Sequence, residues 1–255
     1  IARKAVCRSL SDIAAMGGTP CATLAAVVLP SATSNEQVEA LCEGLRLTGD
    51  TYRAPLVGGD IAIHRISDAP LSIAVTVIAS PTPPGRVTRS GAIPGDVICV
   101  TGCLGGTRLP DESGHHLTFV PRLEAGCLLR SSLQHDLHAM MDLSDGLVKD
   151  GKRFADASDV GIRIELGELP LGTSEQGRLD CAPMDALADG EDYELLIAIP
   201  ESAVSNATHV LEGIGCPLTT IGSVLSDGSQ SQAFEVVDAQ GSVIDCRDLG
   251  WEHEG

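Results

Sequence analysis

Between residues 80 and 96 the chain reads "SPTPPGRVTRSGAIPGD", with four prolines and three glycines. Proline lacks the amide hydrogen that a helix interior or a central strand needs, and glycine loses the most backbone entropy on being ordered. No regular element can run through such a stretch. It therefore divides the chain into a unit over residues 1–85 and a unit over residues 86–255.

Both units alternate between the helical and the extended hydrophobic period. Residues 3–16 predict a helix with Val6, Leu10, Ile13 and Gly17 on one face and Gly17-Gly18 as its stop. Residues 22–30 predict a buried strand, and residues 35–49 a helix opened by a Ser34/Gln37 capping box, with Val38, Leu41 and Leu45 as its apolar stripe. Strands follow over 55–63 and 71–79. Beyond the proline-rich stretch the pattern predicts strand 97–101, helix 122–133, helix 145–157, strands 160–165 and 193–199, helix 201–213, and strands near 217–224 and 232–237. The fold class is α/β (α+β), in two domains.

Composition narrows the partners. The formal net charge is −18, which repels nucleic-acid backbones and anionic membranes. Phosphates, if handled, need bridging metal ions and local Arg or Lys. The nine cysteines contain no CxxC pair and read as reduced thiols of a cytoplasmic protein. No apolar run approaches transmembrane length, so no membrane partner is expected.

The acidic residues cluster. "AMMDLSDGLVKD" (139–150) places Asp142, Ser144, Asp145 and Asp150 where a strand runs into a helix. Ser144 suits the helix N-cap and Asp145 the positive end of the helix dipole. Asp142, at a strand end, gains nothing from that dipole. Hard oxygen donors at this density suit Mg²⁺, which binds through one or two carboxylates plus substrate phosphates. Asp12 lies beside the apolar stripe of the first helix, where an ordinary boundary carboxylate is the plain alternative. In "VGGDIAI", Gly59 and Asp60 interrupt an apolar strand, marking either a bulge or a close backbone approach by a ligand. "TGCLGG" (101–106) could cradle phosphate on backbone amides, but it lacks the Walker lysine. "DGEDYELLIAI" (189–199) reads most simply as an Asp-Gly turn with a solvated acidic approach to a buried strand.

Taken in order, "LSDIAAMGGTP", "GGD", "TRSGAIPGD" with "VTG", "VPR", "MDLSDGL", "ASDVGIRI", "GEDYELL" and "IGSV" resemble the thiamine-monophosphate kinases, of the superfamily that also holds aminoimidazole ribonucleotide synthetase. The resemblance implies a mixed N-terminal sheet with helices that dimerises, a C-terminal α/β domain, and a cytoplasmic homodimer. It implies ATP- and Mg²⁺-dependent phosphoryl transfer to thiamine phosphate, giving thiamine diphosphate, with several Mg²⁺ ions and ATP as co-substrate. By that resemblance Asp12, Asp60, Asp142 and Asp145 hold metal, and Gly59, Asp60, Arg89 and Ser144 meet the nucleotide. Glu191 and Trp251 meet the thiamine phosphate. The alternatives are another ATP-dependent synthetase of the superfamily, against which "GEDYEL" argues, or a catalytically impaired truncated homologue.

The chain departs from the family pattern at several points. Ile61 stands where threonine is usual, Ala188-Asp189 where small residues are common, and Gly151 where leucine is usual; residues 108–116 look shortened. The family's N-terminal carboxylates, a substrate histidine and its first strands precede the equivalent of Ile1. That predicts weak activity for the chain as it stands, and an unpaired sheet edge along 22–30 or 71–79.

Overall fold

The structure is a computed structural model and describes residues 1–225, 234–246 and 249. Two sheets form, one on either side of the proline-rich stretch. The first contains β1 (Gly18–Leu29), β2 (Leu56–Ile63) and β3 (Ser72–Pro81) in the order β2-β1-β3. It is mixed: β1 runs parallel to β2 and antiparallel to β3. The helices α1 (Ala2–Ala15) and α2 (Asn35–Thr51) cover one face, where Val6, Leu10, Ala25, Val27, Leu29 and Leu45 form a small core. The capping box opens α2 as the sequence predicts. Ser34 Oγ accepts the Gln37 amide at 3.3 Å, and Gln37 Oε1 accepts the Ser34 amide at 2.9 Å.

Strand β1 has partners on both sides, so of the two expected edges 22–30 fails, whereas 71–79, carried by β3, is an edge among the described residues. Among the described residues the edges of this sheet are β2 and β3. Val57, Ile61 and Ile63 on β2 are 62%, 50% and 69% exposed, so an apolar edge does stand open, on a strand other than β1. The helical stripe also differs slightly from the pattern. Ile13 is only half-buried, and Ala14, fully buried, takes its place. A small residue is needed there because α1 packs against a second helix.

That helix is α4 (Leu123–Leu133), in the larger unit, which also contains β4 (Val97–Thr101), α3 (His115–Thr118), β5 (Ala139–Asp142), α5 (Leu147–Ser158) and β6 (Ile162–Glu165). The remaining elements are α6 (Pro183–Ala188), β7 (Leu195–Ile199), α7 (Val204–Glu212), β8 (Leu218–Val224), β9 (Phe234–Val237) and β10 (Val243–Ile244). The strands form a seven-stranded sheet in the order β10-β9-β6-β8-β4-β7-β5. Its strands alternate between two cores. On β7, Leu196 and Ala198 face one core with Phe154, and Leu195, Ile197 and Ile199 face the other with Leu129 and Leu211. All five are buried, which explains why this strand reads as a continuous apolar run.

Strand β7 begins at Leu195 rather than 193 because Glu191 and Tyr193 adopt left-handed backbone conformations, with φ of 68° and 53°. Helix α5 starts at Leu147, two residues later than the pattern suggests. The short elements α3, α6 and β10 carry too few residues for a periodic signal. Gly151, an oddity inside α5, has a physical reason: a Cβ there would lie 2.2 Å from the ring of Phe234.

Helix α1 joins the two units. Its Ala14 and Ala15 enter the core of the larger sheet with Leu129, and a Cβ on Gly126 of α4 would lie 2.1 Å from the carbonyl oxygen of Ala14. Arg3 donates to the Leu117 and Thr118 carbonyls at 2.9 and 3.1 Å. Because Gly126 meets backbone rather than a flexible side chain, Gly126→Ala should cost about 1–3 kcal/mol. Chemical denaturation measures this, and an unchanged midpoint would refute the close helix approach.

Candidate functional site

The C-terminal end of α1 and the C-terminal end of β5 meet at the junction of the two units. Ser11, fully buried, donates its hydroxyl to Asp142 Oδ2 at 2.6 Å. Around this contact opens a cleft of about 310 Å³ lined by Arg8, Ser9, Asp12, Asp142, Ser144 and Tyr193. Burial pushes the Asp142 carboxyl up to about 6; the Ser11 hydrogen bond opposes this, and the nearby Asp12 and Asp150 carboxylates add to it. Asp12 is also raised by burial, against the pull of Arg8 and Arg89. The site thus holds two carboxylates that disfavour one another's charge, with Arg89 close enough to be felt.

The segment after Asp142 does not cap its helix as the sequence suggests. Gly146, with φ of 100°, is the N-cap residue, and no side chain caps α5. Asp150, 1% exposed, works in reverse: its Oδ2 accepts the amides of Ser144 and Asp145, both at 2.8 Å. Ser144 is thereby freed to line the cleft. Arg153 Nη1 donates to Asp145 at 2.6 Å and to Asp150 at 2.8 Å.

This loop is zipped to the "DGEDYEL" segment by backbone bonds. Glu191 and Tyr193 donate their amides to Ser144 and Leu143 at 2.8 Å, and Leu143 donates to the Glu194 carbonyl at 2.9 Å. A Cβ on Gly190 would stand 2.8 Å from the Ser144 carbonyl oxygen, so only glycine permits the docking. The left-handed φ at Glu191 and Tyr193 costs roughly 1–2 kcal/mol per residue, and persists because the flanking ladder over-determines it. A second cleft of about 740 Å³ opens here, with Asp145, Asp180, Asp185, Asp189 and Glu191 in its wall, and Leu249 as well. Glu191 pairs with Lys4 at 2.5 Å and lies 3.8 Å from Arg108.

Two readings of the sequence fail in this region. Asp192 and Glu194 are each 1% exposed, so "GEDYEL" is not a solvated acidic approach. Nor are the "TGCLGG" amides free for phosphate, since Gly105 and Gly106 donate to Asp192 and Asp189, both at 2.9 Å. Arg178 neutralises Asp192 at 2.5 Å, and Arg122 grips Glu194 through two bonds of 2.7 and 2.6 Å. Arg178 also donates to His115 Nε2 at 3.0 Å.

The remaining predicted site residues are placed elsewhere. Asp60 pairs with Ala26 on the sheet face turned away from α1, is exposed, and lines neither cleft. A Cβ on Gly59 would overlap the Ala25 carbonyl oxygen at 1.9 Å, so the β1 backbone itself demands this glycine. The register slips beside it, between Thr23 and Leu24, which is the bulge the glycines allowed. Trp251 lies outside the described residues. Pattern reading passed over Lys4, Arg8, Ser11 and Tyr193, and named Asp150 in the acidic cluster without giving it a role. The four-residue steps from Lys4 to Arg8 to Asp12 along one predicted helix were the available signal.

Among the described residues, no three His, Cys, Asp or Glu side chains converge as a closed metal centre. What the cleft offers is the open pair Asp12 and Asp142. That donor set fits Mg²⁺, which completes its octahedron with phosphate oxygens and water, and it does not fit a structural zinc.

His115 provides a test of the buried network. Burial, and then the Arg178 guanidinium, hold it down to about 4. A histidine depressed below its unfolded value of about 6.5 contributes stability above that pH and withdraws it as pH falls toward 4. Relative to His115→Gln, the parent should lose on the order of 2 kcal/mol between pH 7 and pH 4. Parallel pH–stability curves would mean that the ring is solvated.

Comparison with known proteins supplies the context. The family described as "AIR synthase related protein, N-terminal domain" matches residues 1–80, and "AIR synthase related protein, C-terminal domain" matches residues 94–233. A thiamine-monophosphate kinase of Rhodopirellula baltica is 36% identical over 87% of this chain and 67% of its own length. The corresponding kinase of Halobacterium salinarum is 32% identical over 98% of this chain and 82% of its own. Among solved structures, "AaThiL complexed with AMPPCP and TMP" aligns with a TM-score of 0.74 at 25% identity, covering the whole of this chain and 82% of that one.

Proposed function

This chain belongs to the AIR synthase related family, on its thiamine-monophosphate kinase branch, and on that premise we propose that it transfers the terminal phosphoryl group of ATP to thiamine phosphate, giving thiamine diphosphate. One observation carries the reading: Asp12 and Asp142, from the two separate units, face a single cleft that shares Arg8, Ser144 and Tyr193 with a larger acidic cleft. AaThiL with AMPPCP, an ATP analogue, and TMP is the relative that ties such a fold to both substrates.

Phosphoryl transfer requires alignment and charge neutralisation rather than covalent chemistry by the protein. Asp12 and Asp142 would hold Mg²⁺, which when bound neutralises phosphate oxygens; Asp145 and Asp60 are assigned the same role by resemblance alone. Arg89 adds a fixed cation beside Asp12. Ser144 is positioned for the nucleotide by the Asp150 carboxylate that holds its amide. Glu191, in the wall of the second cleft, and Trp251 take the thiamine end. The carboxylates of that cleft suit a cationic thiazolium ring.

In this reading the chain acts as a homodimer, through the uncovered face and edge of the three-stranded sheet. Val28 and Ile78 on the open face are 37% and 52% exposed, beside the apolar edge of β2. Cytoplasmic location is supported by nine free cysteines. Among the described residues no helix is long and apolar enough to cross a membrane. Cell fractionation checks the location. Sedimentation checks the assembly: a dimer is expected at micromolar concentration, and a monomer there would refute it.

The reaction itself is tested by Mg²⁺-dependent turnover of ATP with thiamine phosphate. Asp142→Asn keeps an oxygen for the Ser11 hydroxyl, so the fold should survive. Turnover should fall by about 10²–10³-fold, as when one preorganised electrostatic group is removed. Activity within a few-fold of the parent at saturating Mg²⁺ would make Asp142 structural.

A further inference from the structure

Arg8 lines both clefts and is exposed on the flank of α1. Arg89, the other cation felt by Asp12, lines neither cleft, and the remaining cations nearby are already taken. Lys4 is held by Glu191 at 2.5 Å, Arg108 by Glu112 at 3.3 Å, and Arg153 by Asp145 and Asp150 at 2.6 and 2.8 Å. The neighbouring carboxylates are satisfied in turn, Asp142 by Ser11 and Asp145 by Arg153. Among the cations that line the clefts, Arg8 alone forms no ion pair with a described residue, although its charge is felt by Asp12 and by the Tyr193 hydroxyl.

A guanidinium without a partner offers a planar fork of donors that matches the oxygens of a phosphate. Its position matters as much as its chemistry. The second cleft, with Asp180, Asp185, Asp189 and Glu191 in its wall, attracts a cationic ring and repels a phosphate dianion. A molecule carrying both charges is therefore oriented by the field: ring toward these carboxylates, phosphate away from them and toward the wall shared with the smaller cleft. Arg8, with Ser144 and Tyr193, stands in the wall that the two clefts share.

We infer that Arg8 binds the phosphate monoester of the acceptor at the wall shared by the two clefts and turns it toward Asp12 and Asp142. This rests on the reading above that the acceptor is thiamine phosphate, and adds a residue that neither the motifs nor the resemblance assigns. The plain alternative is a solvated arginine that offsets Asp12 one helical turn away.

Calorimetry on the full chain separates the two, using thiamine phosphate and phosphate-free thiamine as probes. Arg8→Ala should weaken thiamine phosphate by about 10- to 100-fold, the size of a charge-assisted hydrogen-bonding pair. Thiamine itself should change less than about two-fold, because it carries no phosphate for the fork. In turnover, KM for thiamine phosphate should rise in parallel, while KM for ATP moves less than about three-fold. Arg8→Met, which keeps the aliphatic stem, should match Arg8→Ala; Arg8→Lys, a point charge without the fork, should recover part of the loss. Equal weakening of both probes, a rise in KM for ATP instead, or a defect in Arg8→Ala that Arg8→Met repairs would overturn the inference. If the parent binds thiamine phosphate and Arg8→Ala binds it equally well, this inference alone falls. If the parent does not bind it, the proposed reaction falls as well.

Discussion

The site depends on a buried ion pair that never touches it. Arg178 and Asp192 are 3% and 1% exposed and meet at 2.5 Å, with Gly105 donating its amide to the same carboxylate and accepting from the same guanidinium. Removing one member of such a pair costs about 3–5 kcal/mol, because the other is left charged and dry. The pair therefore holds the "GEDYEL" segment against the glycine-rich turn. That segment in turn carries two left-handed residues and forms the backbone ladder on which Ser144 rests. One Asp192 oxygen has no partner among the described residues, and burial drives that carboxyl upward against the pull of Arg178. The network is near its limit of satisfaction rather than comfortably within it.

Helix α1 provides the second constraint. Its apolar stripe serves two cores, and it brings Ser11 and Asp12 to a strand of the other sheet. Neither unit holds both carboxylates of the smaller cleft. The electrostatic cost of bringing Asp12 near Asp142 is the same feature that makes the pair suited to a divalent cation, since a bound ion would reverse the sign of the mutual repulsion.

The net charge of −18 acquires a local meaning from this arrangement. Many carboxylates, such as Glu36, Glu43, Asp60 and Asp111, are exposed to solvent, but not all serve as a solvated coat. Some are buried as structural anchors (Asp150, Asp192, Glu194), and others line the clefts (Asp12, Asp142, Asp145, Glu191). The anchors are answered by amides and arginines. Of the cleft carboxylates, Glu191, Asp145 and Asp142 are answered by Lys4, Arg153 and Ser11, while Asp12 feels only the charges of Arg8 and Arg89.

Pattern alone placed most elements to within a few residues, opened α2 with its capping box, and marked Asp142 as a carboxylate without a local use. Each is a local property: period, cap chemistry, or a carboxylate where local structure gives it no use. Asp12 read as an ordinary boundary residue until the resemblance singled it out. Tertiary structure decided which carboxylates are anchors. Asp150 and Asp192 look no different from Asp145 and Glu191 along the chain, because burial depends on what packs over them. It moved the cap of α5 from Ser144 to the reverse contact of Asp150, and it occupied the amides of "TGCLGG" with side chains nearly ninety residues away. It also set Asp60 on the far face of the small sheet, a consequence of its pairing with Ala26 that no local pattern encodes. Distance along the chain hides such contacts, since their geometry exists only once both sheets have formed around α1.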